Sequence, residues 1–442
     1  MLIPKDIYMN DRVIKSYAYK YTAAFPGVYS VFNVIDQSAH RFKRKLVGKA
    51  LSDRSMKIFE PTMRDQIDIF LRILLKSSES SSLVNMSEHV KRLAFDVVAL
   101  LACGWPLKTQ TDQKYRPLLQ AQTAGLYHKN TFMQFPFLYK TGIPALFEHF
   151  VSDQMLTYFN AIQDMVTARM AQSKHAHHDL YSHLVDQMSL DGECLKDSDL
   201  WAEIAFLFPA GADTITALLC GTFFYLSRTP RTYAKLADEI RSTFTTGSDI
   251  VNGSKLSGCE YLRATIQETL RISPPVPGTL WRQCTTASRT NPCIIDGHTI
   301  PPDVEVGVNI YSFQHNDEYF PDPFKFSPER WLQNENEALS ERVKAMSDAF
   351  HPFSVGTRAC PGKAMAYAET SLVLAKVLWY FDFEIAPGRP GLLGGGNRDL
   401  GEGRQKSDEF QLYDVLSATH DGPNLVFRPR GEYVRDLVDE ET

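Results

Sequence analysis

Of seven cysteines, at 103, 194, 220, 259, 284, 293 and 360, one sits in a loop suited to chemistry. Around it the chain reads Phe353-Ser-Val-Gly356-Thr-Arg358-Ala-Cys360-Pro-Gly362. Gly356 and Gly362 permit tight turns and close backbone approach. Cys360 stands just ahead of a helical pattern, and the N–H groups and dipole of a helix start favour a negative sulfur. Pro361 removes one potential N–H donor and leaves Gly362 and Lys363 to bond the sulfur. Such a sulfur suits metal binding as its thiolate, with Arg358 nearby to pair with an anion. A lone cysteine is more often buried and inert, and that is the expectation for the other six.

A second constellation lies upstream. Ala210-Gly211-Ala212-Asp213-Thr214 sets an acid beside a hydroxyl among small residues. That order suits proton delivery. The alternative is Thr214 bonding back to the Ala210 carbonyl and bending its helix. Pro209, just before, should add a kink. Glu268 and Arg271 have ExxR spacing, as do Glu260 and Arg263, and either can be a surface i, i+3 pair. His40-Arg-Phe-Lys-Arg44 is basic. Its Arg41 and Lys43, with Lys45 and Lys49, read either as a solvated face or as a docking patch for an acidic partner. His175, His177 and His178 beside Asp179 could bind metal, but a polar loop explains them better.

These residues need elements to hold them. Phe59, Met63, Ile67, Phe70 and Leu74 recur at helix spacing, ahead of the polar run at 77–82. Further helices are expected around His89–Cys103, with Leu93, Val97, Leu100 and Leu101 inward, and around Met155–Met170. Between them lies an aromatic stretch, 131–150. A long apolar helix starts near Asp197–Ser198, a good N-cap pair. Its segment Ile204 to Leu226 is long enough to span a bilayer. Pro209, Gly211, Asp213, Thr214 and Thr216 at its centre favour instead the buried axis of a globular fold. From about Asn291 the pattern changes. The stretch 293–311 carries an Asp296–Gly297 hairpin signal, then Val304, Val306 and Val308 in alternation. A last helix covers about Lys363 to Tyr380, and 391–409 reads as a flexible loop. The sum is mainly α with a minor β-sheet region, expected as a single domain over 1–442.

Composition narrows the function. Hydrophobic residues make up 44% of the 442, enough for a large core. A net charge of −5 points to no nucleic-acid partner. The odd cysteine count, without regular spacing, argues against a disulfide framework, and no CxxC supports a zinc site. The opening MLIPKDIYMNDRV has neither the apolar stretch of a signal peptide nor that of a membrane anchor.

The loop at 353–362 resembles the signature of the cytochrome P-450 family, the haem-thiolate monooxygenases. The likeness runs from about Asp6 to Gly431. It implies the haem-thiolate monooxygenase fold, with haem as cofactor and Cys360 as the axial ligand of its iron. Phe353, Gly356, Arg358 and Gly362 belong to the implied cofactor loop. Ala210 and Gly211 match the helix motif that passes close to bound oxygen. Asp213 and Thr214 are then catalytic, routing protons. His40 and Arg44 resemble a WxxxR helix, with His40 in place of Trp. Arg44, His40, Arg358 and Arg282 are implied partners of the haem propionates. Glu268, Arg271 and Arg330 resemble a buried Glu-Arg-Arg cluster, structural rather than catalytic.

The implied reaction inserts one O2 oxygen into a hydrophobic small molecule. Electrons would come from NADPH through a separate flavoprotein reductase. The stretches 366–384 and 408–414 look like filamentous-fungal members, which implies secondary-metabolite biosynthesis. The implied place is the cytosolic face of the endoplasmic reticulum membrane. The chain carries no transmembrane anchor as written, so a cytoplasmic protein with peripheral membrane contact is the alternative. The family normally begins with an anchor, a first helix and two strands. This chain starts after them, an N-terminally shortened form that would expose a sheet edge. Two rival readings are a same-fold haem isomerase or dehydratase, and a truncated haem-binding protein without activity. Intact Asp213–Thr214 argues against the first.

Overall fold

The computed structural model describes residues 3–24, 27–141, 143–191, 197–285, 292–332 and 341–439. Helices run over Ile3–Tyr8 (α1), Gln37–Ala50 (α2), Asp53–Glu79 (α3), Met86–Cys103 (α4), Arg116–Gln134 (α5) and Pro136–Lys140 (α6). They continue with Ile143–Met170 (α7), Leu180–Asp191 (α8), Asp197–Phe208 (α9), Thr214–Arg228 (α10), Pro230–Thr243 (α11) and Ser254–Ser257 (α12). Glu260–Ile272 (α13), Ile310–Gln314 (α14), Glu341–Ala349 (α15) and Lys363–Tyr380 (α16) complete the set that frames the site.

Local chemistry explains many of the boundaries. The Ser52 side chain accepts from the Ser55 N–H at the start of α3. The Asn85 side chain does the same for Ser87 at α4, which ends on Gly104 in the left-handed conformation. The apolar row Phe59, Met63, Ile67, Phe70 and Leu74 is buried on one face of α3. Each such side chain contributes about 1.5–3 kcal/mol when fully buried. α16 spans the range expected for the last helix. The helix expected from Met155 begins earlier, at Ile143, and α3 runs on into the polar run to Glu79.

The long apolar segment is the buried axis. After α9 the chain makes a π-helical turn over Pro209–Asp213 and continues as α10, whose residues Ile215 to Leu226 are all buried. Ser198–Arg228 is, among the described residues, long and apolar enough to cross a membrane, but it packs mostly inside the protein. The expected kink takes this π form. Pro209 has no N–H to close an ordinary turn, and the wider turn absorbs the loss.

The β structure is small. Strands Val13–Lys15 (β1), Arg282–Cys284 (β3) and Glu305–Val306 (β6) form an antiparallel sheet in the order β1-β3-β6. Val84–Asn85 (β2), Phe381–Ile385 (β7) and Asn424–Pro429 (β10) form another, in the order β2-β10-β7. Cys293–Ile295 (β4) and His298–Ile300 (β5) make the expected hairpin. Asp296 and Gly297 hold its turn at φ 50° and 77°. Among the described residues it pairs with no other strand. Tyr413–Val415 (β8) and Ser417–Thr419 (β9) form a second hairpin with Leu416 at its tip. The alternation at Val304, Val306 and Val308 yields only the two-residue β6, because a single neighbour, β3, pairs with it. The segment 391–409, expected as a flexible loop, is closed on itself. Gly396 N–H donates to the Lys406 carbonyl and Asn397 N–H to that of Arg404.

A buried charge cluster ties the second half together. Glu268 accepts from Arg271 at 2.9 and 3.0 Å, from Arg330 Nε at 3.0 Å, from Trp331 Nε1 at 2.9 Å and from the Ser327 N–H at 3.0 Å. Arg271 also donates to the carbonyls of Gln314, Pro323 and Lys325. The structural role expected for Glu268, Arg271 and Arg330 is what this geometry supplies. Asp179 likewise pairs with buried Arg169 instead of joining the neighbouring histidines at a metal.

Candidate active site

The cysteine loop is shaped by two contacts. Cys360 N–H donates to the Phe353 carbonyl at 2.8 Å, which closes the loop. Gly356 sits at φ 76°, and a Cβ there would lie 2.2 Å from the Tyr8 carbonyl oxygen of α1. Only glycine serves both the turn and that approach. Gly362 caps α16, and its N–H bonds the Cys360 sulfur. Burial raises the thiol's pKa, while Gly362 and the Arg44 guanidinium oppose that rise.

Cys360 opens into a cavity of about 330 Å³. Phe353, Arg358, Gly362, His40, Arg44, Ala210, Gly211 and Thr214 line it too. One edge is cationic. Arg358 donates to the carbonyls of Val34 and Ile35 at 2.7 and 2.9 Å. Arg44 donates to the Ala359 carbonyl. Lys15, at the end of β1, reaches the Phe32 carbonyl and lies 4.2 Å from the ring centroids of Tyr19 and Phe32. Burial, then Arg282 and Arg358, push the Lys15 pKa well below its usual value. Burial and the surrounding cations Arg358, Lys15, Arg44 and Arg282 push that of His40 down to about 3, so its imidazole is neutral.

Among the described residues, none of Lys15, Arg44 and Arg358 pairs with a carboxylate. Lys15 is buried and Arg44 and Arg358 are half-buried. Cations held from water without anions are costly, so this edge fits an anionic group, as the propionates of haem would provide. With a sulfur donor in the same cavity, the residues present fit a thiolate-ligated haem.

Several expected residues sit differently. Arg282 is not part of the cavity wall. Its Nη1 donates to Tyr19 and to the carbonyls of Leu280 and Trp281, so it backs Lys15 from the second row. Gly356 likewise serves the loop from behind the wall. Lys43 is not part of a solvated basic face. It is buried, 3.0 Å from Asp199 and 3.1 Å from Glu203, because α2 packs that side inward. Gly211 leaves room for α4, since a Cβ there would meet Val98 at 2.7 Å.

The acid and hydroxyl of the π turn diverge. Thr214 lines the cavity and donates to the Ala210 carbonyl at 2.7 Å, the back-bonded arrangement. Asp213 is buried outside the cavity wall. It accepts from Gln122 Nε2 at 2.8 Å and lies 3.5 Å from Lys91 Nζ. The Tyr158 hydroxyl donates to the same Gln122 at 2.8 Å, and both Tyr158 and Gln122 face the cavity.

Sequence reasoning missed Lys15, Gln122 and Glu369. Glu369 on α16 lines the cavity with both carboxylate oxygens buried and unpartnered, and burial pushes its pKa up to about 8. A carboxylate two turns into an apolar helix that follows the metal-binding cysteine was a usable signal. Lys15 and Gln122 offered none. Of the other six cysteines, Cys103, Cys220, Cys259, Cys284 and Cys293 are buried, and Cys194 lies outside the described residues.

Known proteins resemble this chain in sequence and in fold. A model of the cytochrome P450 family matches residues 1–392. A cytochrome P450 monooxygenase of Gibberella zeae is 32% identical over 440 residues, covering 97% of this chain and 98% of the relative. The cytochrome P450 monooxygenase apf7 of Gibberella fujikuroi is 31% identical, covering 94% and 81%. Another, atnE of Emericella nidulans, is 31% identical and covers 96% and 81%. The crystal structure of the cytochrome P450DA heme domain superposes with a TM-score of 0.73 at 17% identity, covering 96% of this chain and 85% of that one, a likeness of fold. Fold, sulfur loop and relatives converge: the chain belongs to the cytochrome P450 family, as a haem-thiolate monooxygenase.

Proposed function

We propose that the protein inserts one oxygen atom of O2 into a hydrophobic small molecule, as a step of fungal secondary-metabolite synthesis, with residues 1–442 acting as one unit. The observation that carries this is the Cys360 sulfur opening into a largely apolar cavity edged by Lys15, Arg44 and Arg358. The printed names of the fungal relatives support the reaction class. Haem bound there supplies O2 activation, which electron donation from the thiolate favours.

The chain's own groups set the conditions. Gly362 N–H and Arg44 hold the Cys360 sulfur as a ligand. Arg358, Arg44, Lys15 and neutral His40 would hold the haem propionates, with Arg282 behind them. Thr214 Oγ1 holds a proton at the cavity face and hands it inward once it leaves the Ala210 carbonyl. Asp213, once its side chain leaves Gln122 and Lys91, would relay a proton taken up from solvent to Thr214. The apolar wall, with Leu416 at the β8–β9 tip, orients substrate and excludes water.

Electrons arrive from NADPH through a separate flavoprotein reductase. Exposed Arg41, Lys45 and Lys49 share α2 with Arg44 and support a docking face for that acidic partner. Phe135 and Phe137, 53% and 62% exposed, support peripheral contact with the cytosolic face of the endoplasmic reticulum membrane. The test is expression with a competent reductase, followed by product analysis and the reduced, carbon-monoxide-bound spectrum. Product that requires NADPH and O2 is expected, with a red-shifted thiolate band that Cys360→Ala abolishes. No such product, or a band that survives the substitution, would sink the reading.

A further inference from the structure

One cation in the cavity is not explained by haem. On α5, Gln122, Gly125, Leu126 and Lys129 follow the i, i+3, i+4, i+7 spacing of one helical face, and all four line the cavity. The Lys129 ammonium lies 5.3 Å from the centroid of the Phe159 ring. Among the described residues it has no hydrogen-bond or ion-pair partner. Burial alone pulls its pKa down, to about 8, with no charged neighbour contributing. Lys15, His40 and Arg358 feel the other cations of their edge, and Lys129 is not among those neighbours. It is a cationic point separate from that edge, on a face it shares with Gln122, Gly125 and Leu126.

We propose that Lys129, facing the cavity without an anion among the described residues, binds the carboxylate of an otherwise apolar substrate. This rests on the monooxygenase reading above and names its substrate class, a lipophilic acid. A single lysine matches a monoanion, whereas a phosphate dianion needs several donors. The Phe159 ring takes only one side of the ammonium, which leaves its remaining N–H groups to a ligand.

Placement also sets where the acid is oxidised. Lys129 and Gln122 are two turns apart, roughly 10 Å along the helix axis at 1.5 Å per residue. Gln122 is the residue that touches Asp213 on the π turn. A carboxylate held at Lys129 therefore places the reacting carbon far along the chain, not next to the acid.

The test uses the holoenzyme. Saturated fatty acids of about eight to sixteen carbons, a span set by that helix distance, are titrated against their methyl esters. Binding is read from the Soret shift and by equilibrium dialysis. The best acid is expected to bind about tenfold or more tighter than its ester. Lys129→Met should remove that preference by weakening the acid and leaving the ester unchanged, and Lys129→Arg should keep it. Equal binding of acids and esters, no binding by any acid, or a preference that survives Lys129→Met would each overturn the proposal. The reduced carbon monoxide spectrum of the same preparations reads the haem-thiolate assignment separately. If that band is present and the acid preference absent, only the substrate inference fails.

Discussion

Replacing Lys15 by Met should weaken haem retention without weakening the haem-free fold. Lys15 is buried, and its ammonium meets a carbonyl, two aromatic faces and other cations, but, among the described residues, no carboxylate. Without haem this charge costs stability. Its folded pKa is depressed, so the cost is full below that value and is relieved as pH rises toward the unfolded 10.5. With haem bound, the same ammonium would make a charge-assisted hydrogen bond to a propionate, worth about 1.5–3 kcal/mol. That converts to roughly 10- to 150-fold in haem affinity. Methionine keeps much of the side-chain stem and removes the charge. The assay is haem transfer to excess apomyoglobin, together with denaturation of the haem-free protein at pH 7 and pH 10. Transfer should accelerate by that factor. The haem-free variant should equal or exceed wild type at pH 7, and the difference should shrink toward pH 10. Unchanged haem transfer, or a haem-free variant clearly less stable than wild type, would refute the assignment of Lys15 to the cofactor edge.

Other outcomes follow from the same geometry. Glu268→Ala strands the fully buried Arg271, so guanidinium denaturation followed at the Soret band should show a loss of about 3–5 kcal/mol. Removing the exposed Arg428–Glu384 pair should cost under about 1 kcal/mol. Glu369, with its pKa raised from 4.5 to about 8, stays protonated in the fold. Its contribution is intact below pH 4.5 and is lost as pH rises to 8. Glu369→Gln should therefore gain on wild type across that window, on the order of 4 kcal/mol by pH 8, and equal pH profiles would disprove the burial argument.

The sulfur loop was legible in the sequence because its demands are local. Glycines at 356 and 362, a proline after the cysteine and a helix start are all read within ten residues. The last helix, the Asp296–Gly297 turn and the buried row of α3 are legible for the same reason. Periodicity, caps and turn residues act over a few positions. Side-chain direction across the fold was not legible. Lys43 looked like part of a basic face, but its partners Asp199 and Glu203 come from a helix more than 150 residues away. Asp213 and Thr214 are adjacent in the motif, yet only Thr214 faces the cavity, because Gln122 and Lys91 claim the acid.

By itself, the sequence determined that a cysteine thiolate is built to hold a metal, that small residues, an acid and a hydroxyl interrupt a buried helix, and that the fold is mainly helical. Only the tertiary structure decided which charges meet the cofactor edge. A three-residue strand brings Lys15 there, and packing holds Arg282 one row behind. The physical reason is range. Backbone preference is settled by neighbours in the chain, whereas burial and pairing of a charge depend on what distant segments bring against it.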